Sequence, residues 1–326
     1  MPKFVKTLLS TFLVILVCFS TGFTDAARYS NESMAVGGGA RALALGGAYT
    51  ALANDAWSLF WNPSGLISVD RSQAGLMHSE RFGGVVDYDA AAYATPRPDG
   101  SVWSAGLLRL GVNGVPFTKL ENPKQPHSEE NRVVVDKYVN EGEYTFFIAQ
   151  AKRYKRWRWG IAPKLLFRHF GSEYRAYGLG IDVGAGGRPL PNIPVEAGVT
   201  IRDLLGTVLA WEQTGRKEVI APTVRIGLAS VIELPKLEAT LSPSVDIVYR
   251  TEVLGDSDAT ALHAGFEYLV RKVVALRLGS DDGRWTLGGG LELKPVSIAY
   301  AFVGHDDLGD THRISVTTRW GSRLSK

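Results

Sequence analysis

The residues best suited to chemistry are the six histidines: His78, His127, His169, His263, His305 and His312. None stands at the short fixed spacing that brings two ligands onto one metal ion, so no metal site is expected and most of them read as lumen or loop residues. Asp306, Asp307 and Asp310 fall in one loop and Asp281-Asp282 in another. Calcium could bind such oxygens, but a solvated acidic loop is the simpler reading. His78-Ser79 sets a base beside a hydroxyl. Neighbours on a strand point to opposite faces, so the pair cannot form a catalytic dyad. No nucleophile, base and orienting group come together elsewhere, so no catalytic residue and no enzymatic activity are expected. Gly178, Gly180 and Gly184 hint at a dinucleotide loop, yet they lie in an alternating stretch with no helix after it. No cofactor is expected. Lysine and arginine alternate with acidic residues, with no basic stripe, which argues against a nucleic-acid partner.

What positions these side chains is a series of strands. From Ser72 onward apolar residues recur with period two, in runs of about ten residues. In 157–169 one face carries Trp157, Trp159, Ile161, Leu165 and Phe167. The other carries Arg158, Gly160, Ala162, Lys164 and Arg168. Tyr177, Leu179, Ile181 and Val183 likewise oppose Ala176, Gly178, Gly180 and Asp182. In the last run Ile314, Val316 and Trp320 oppose Arg313, Ser315, Thr317 and Arg319. A sandwich core would not hold charges and glycines on its second face. In a membrane barrel the apolar face meets lipid and the polar face lines the interior. The same rule, applied to 85–95, turns Val86, Tyr88, Ala90, Ala92 and Ala94 outward and Asp87 and Asp89 inward. Tryptophan and tyrosine gather near strand ends, as rings at headgroup level do.

The fold expected is therefore all-β, a transmembrane antiparallel β-barrel of about fourteen strands over 71–326. The strands run from 72–80 to 310–320, with 101–112, 142–154, 193–203, 218–232 and 236–250 among them. The segments Val112 to Glu141, Leu204 to Arg216, Thr251 to Asp258 and Gly304 to Leu308 read as external loops. Pro96 to Gly100, Leu234-Pro235 and Leu293-Lys294-Pro295 read as tight periplasmic turns. Pro163, Pro222 and Pro243 fall inside strands, where proline removes a ladder hydrogen bond. They are candidate kinks in the wall, and bulges there could be functional.

The chain has 326 residues, 45% hydrophobic and 21% charged, which excludes a disordered chain. Its 36 glycines suit a barrel with a crowded interior. Lys3 and Lys6, an apolar run from Leu8 to Phe19, and Thr24-Asp25-Ala26 form a three-part secretory signal over 1–26. Its removal takes two positive charges from the formal net charge of +3 and also takes Cys18, the single cysteine. Disulfides then play no part. No other stretch is apolar for the length a spanning helix needs.

Residues 27–70 differ from the rest. Small residues from Gly37 to Ala53 suit one short helix broken at Gly46-Gly47, and Asn62-Pro63-Ser64-Gly65 is a β-turn sequence. Such a segment suits packing inside something already crowded.

Three stretches here resemble the start of the PorV/PorQ-like outer-membrane barrels, within the FadL-like group of long-chain fatty acid transporters. They are Gly39-Ala40-Arg41-Ala42-Leu43-Ala44-Leu45-Gly46-Gly47-Ala48, Ala53-Asn54-Asp55-Ala56 and Trp61-Asn62-Pro63-Ser64-Gly65-Leu66. Thr311-His312-Arg313-Ile314-Ser315-Val316 resembles the family's last strand. Members usually carry alanine where this chain has Ser64, and six residues follow Trp320, the aromatic at which many such chains end. The resemblance implies that 27–70 form a plug, with the Asn62 turn inside the barrel. It also implies an outer-membrane address in a two-membrane bacterium, with lipid around a monomeric barrel. Two roles share this fold: transport of hydrophobic small molecules, leaving through an opening in the wall, or a surface scaffold that binds exported proteins.

Overall fold

Alternation of outward apolar and inward polar residues carries the chain up and down a single closed wall. The computed structural model describes residues 36–81, 83–190, 192–250, 259–304 and 309–322. The signal segment 1–26, the start of the expected plug and the loop 251–258 lie outside the described residues, as do His305, Asp306 and Asp307.

The wall begins with β1 (Ser72–Arg81), β2 (Val86–Pro96), β3 (Val102–Leu120), β4 (Val133–Tyr154), β5 (Trp157–Phe170) and β6 (Tyr174–Gly187). It continues with β7 (Val195–Arg202), β8 (Thr207–Trp211), β9 (Lys217–Ile220), β10 (Thr223–Ser230), β11 (Ile232–Leu234) and β12 (Ala239–Arg250). It ends with β13 (Ala259–Val270), β14 (Val274–Asp281), β15 (Arg284–Leu293), β16 (Val296–Val303) and β17 (Thr311–Trp320). Pairing is antiparallel throughout, and β17 returns to β1, with Trp320 opposite Ser72, so no edge is left unpaired. β7 and β8 are two lengths of one stave along β6, and β9, β10 and β11 are three lengths of the next. The wall is thus a closed barrel of fourteen staves, as the sequence predicts.

Leu165, Leu179, Ile314 and Val316 stand exposed on the outer face, and Lys164, Asp182, Arg313 and Ser315 are buried within. This is the inverted pattern of a barrel in lipid. At the end where Ser72 meets Trp320, Tyr93 stacks on Trp320 at 6.1 Å between ring centroids. Toward the opposite end, the mouth, Tyr144, Phe167, His169 and Tyr177 form a second band, with centroids 5.3–6.0 Å apart.

Four expectations are corrected. Val112 to Glu141 is not a loop: β3 and β4 run on as a two-stranded ribbon beyond their neighbours, closed by residues 121–132. Its charges pair across the ribbon, Lys119 with Asp136 at 2.7 Å, which the sequence alone made look like a solvated loop. Leu204 to Arg216 contains β8. In β2 the faces are reversed: Tyr88, Ala90, Ala92 and Ala94 are buried inside, and Asp89 faces out to His78 (2.7 Å) and Arg109 (2.6 Å). The reason is that the lumen at β2 is filled by apolar side chains, so small apolar residues belong there. The histidines, expected in lumen or loops, divide differently. His78, His169 and His312 face outward near the mouth, and His263 is buried in the lumen.

Candidate functional site in the barrel lumen

The lumen is occupied by residues 36–69. Ala40–Ala44 form a short helix that ends where Gly46 and Gly47 take positive φ (63° and 79°), at the break the sequence predicts. Ser58–Trp61 form a second helical turn, and Pro63–Ser68 a 3-10 turn with Pro63 in its first position. Leu45, Leu59, Phe60 and Leu66 are almost wholly buried. Each such side chain contributes about 1.5–3 kcal/mol relative to exposure.

Polar contacts fix the segment to the wall on all sides. Arg41 makes a two-pronged pair with Glu267 of β13, both contacts 2.8 Å, and Arg277 of β14 reaches the same carboxylate at 2.7 Å. Arg41 also donates to Tyr49 and Asn54. Burial pushes the Tyr49 phenol well above its ordinary pKa, so it stays protonated and donates to Asp55 at 2.8 Å. Asp246 of β12 accepts from the Thr50 hydroxyl (2.6 Å) and from the backbone N–H of Thr50 (3.0 Å). On β17, Ser315 accepts from the Ala40 N–H and Thr317 from the Trp57 indole. Inward residues of the closing strand thus grip the inner segment.

The Asn62-Pro63-Ser64-Gly65 turn lies within this packing. The Asn62 oxygen accepts from the Ser64 N–H (3.1 Å) and hydroxyl (2.7 Å), and its nitrogen donates to Thr50 O (2.9 Å) and Ala185 O (3.2 Å). The Ser64 hydroxyl thus adds a bond inside the turn. The wall is thinned to receive it. A Cβ on Gly184 would stand 2.1 Å from the Asn62 oxygen, and one on Gly160 would stand 2.4 Å from the Pro63 carbonyl carbon. On the far side a Cβ on Gly279 would meet Gly46 N at 2.4 Å. Part of the abundance of glycine is therefore a matter of clearance between wall and inner segment.

Each of the three wall prolines interrupts a ladder. Pro163 keeps its partner Ile181 on β6, but pairing to β4 lapses between Phe147/Lys164 and Gln150/Ile161 without a change of register. Pro243 keeps Phe266 on β13, and pairing lapses between β10 and β11 on its other side. Pro222 sits at a true bulge: residues 203–206 oppose only 221–222. There Lys164 lies between Asp182 and Asp203, 2.7 Å from each, all three buried.

A cavity of about 330 Å³ remains between the inner segment and the mouth. Trp61, Leu43, Gly46 and Gly47 form its floor, and Arg81, Arg225, Arg250, Arg284 and Arg313 come from five strands around it. Inward register near the mouth end of each strand is the sequence signal for these arginines; Arg313 falls on the polar face of the last run, but the convergence of all five depends on how the staves close. His263 and Asp281 complete the ring, 3.0 Å apart. A larger groove, about 690 Å³, runs over the outer wall past Leu76, Leu107 and Val316, where lipid belongs.

A scan against protein-family models and a search of curated proteins find no match. Solved structures do match. The toluene transporter TbuX of Ralstonia pickettii superposes with a TM-score of 0.58 at 10% identity, covering 87% of this chain and 99% of that one. The Pseudomonas putida toluene transporter TodX gives 0.57 at 13% identity, covering 88% and 99%. A Pseudomonas aeruginosa FadL homologue gives 0.50 at 11%, covering 83% and 96%. The chain shares the fold of these barrels.

Proposed function

We propose that this chain is an outer-membrane barrel that carries small hydrophobic molecules inward, with residues 27–70 as its plug. The observation that carries this reading is the filled lumen: an inner segment gripped from several sides, with a small cavity left at the mouth. A general diffusion pore would keep a water-filled channel. The likeness to barrels known as toluene transporters supports the same reading. On this reading the first strand starts at the periplasmic face, the mouth opens outside, and interruptions at Pro163, Pro222 and Pro243 are where the wall could part. The test is uptake of a labelled aromatic hydrocarbon or fatty acid by cells whose outer membrane holds or lacks the barrel. Faster uptake with the barrel is expected; equal uptake in both would overturn it.

A second reading, a surface scaffold for exported proteins, is favoured by one feature. The β3–β4 ribbon projects past the mouth with Val133, Val135 and Tyr138 exposed. Deleting 115–139 should then abolish co-purification of an exported protein and leave uptake unchanged.

A further inference from the structure

The lumen cavity is unlike what a purely hydrophobic cargo requires. Five arginines line it, and one aspartate. That aspartate is already engaged: Asp281 contacts His263 at 3.0 Å and Arg284 at 2.7 Å. Deeper in, Asp246 is taken by Thr50, Tyr49 and Arg225. Arg313 is left without a carboxylate in salt-bridge reach among the described residues, although it is only 6% exposed and its Nε has no hydrogen-bond partner. Arg250 has no carboxylate partner among them either. Gathering guanidinium groups in a half-enclosed space is unfavourable without a counter-charge. Arginine is also the side chain whose planar fork best matches carboxylate and phosphate oxygens.

The floor has a different chemistry. The Trp61 ring lies under Arg225 at 5.1 Å and beside Leu43, with Val36 and Val303 close by. A ligand here meets arginines at its head and an aromatic, apolar surface at its tail. The cavity has the size of a small-ligand pocket.

The geometry points to a binding site in the mouth for a small aromatic anion, a ring bearing a phosphate or sulfonate group. Arg313 and its neighbours take the acid group, and Trp61 takes the body. This rests on the transport reading for its biological sense, since it names the class of cargo. Binding itself does not depend on uptake and is measured separately.

The experiment is calorimetric titration of the folded, detergent-purified barrel with phenyl phosphate, toluene and inorganic phosphate. Phenyl phosphate should bind at least tenfold more tightly than either of the others, and the affinity should fall as salt is raised. Arg313→Gln should weaken it about tenfold or more, the loss expected for one charged hydrogen-bonding partner. Arg271→Gln, on a turn at the far end of the barrel, should leave it unchanged. If Arg313→Gln fails to fold, Arg284→Gln at the rim gives the same reading. No binding of phenyl phosphate would overturn the site. Toluene or inorganic phosphate binding equally well would overturn the two-part recognition. Failure of uptake with binding intact would strike the transport reading alone.

Discussion

Asn62 satisfies both ends of its amide inside the barrel, with two donors from Ser64 on its oxygen and the Thr50 and Ala185 carbonyls on its nitrogen. Asn62→Ala leaves the Ser64 N–H and the Thr50 carbonyl buried and unpaired. A loss of about 3 kcal/mol is expected, read as a lower temperature for the gel shift between folded and boiled barrel. An unchanged midpoint would mean that the turn is held by its apolar neighbours alone. The turn was legible from its residue types, because asparagine, proline and glycine favour turns through their own backbones. Its partners were not, because Gly160 and Gly184 lie a hundred residues away and look like any other strand glycines. The arginines at the mouth were harder still. A single inward arginine in a strand is ordinary, and only closure of the wall brings five together.

At the scale of elements, the bulge between the seventh and eighth staves depends on Lys164. Asp203 takes a positive φ of 53°, its N–H donates to Asp182, and Thr207 donates to its carboxylate. Lys164→Met would leave two buried aspartates facing each other. That change should cost about 3–5 kcal/mol, as breaking buried pairs does, and Asp203→Asn added to it should recover part of the loss. Thermal denaturation of both variants in detergent checks this, and equal midpoints for wild type and Lys164→Met would refute it. The prolines marked these interruptions in the sequence because a missing N–H has one consequence wherever it sits. What they did not reveal was which would be a bulge. Pro163 and Pro243 each point the missing donor at one neighbour and keep register, whereas Pro222 faces a partner with two extra residues.

For the whole molecule, period-two alternation was enough to read fourteen staves, because lipid outside and polar groups inside impose it on nearly every strand. It failed at β2, where the interior is not polar: Tyr88, Ala90 and Ala92 pack within the core that the inner segment fills. The inner segment also carries the proposed function, since a lumen filled by Tyr49, Trp57, Phe60 and Trp61 suits the passage of selected small molecules proposed above better than an open pore. The most direct test is the conductance of the wild-type barrel in a planar bilayer, after its heat-dependent gel shift shows that it is folded. The expected result is a membrane with no steady ohmic current from the inserted protein. A persistent open-pore conductance, like that of a general porin, would contradict the account.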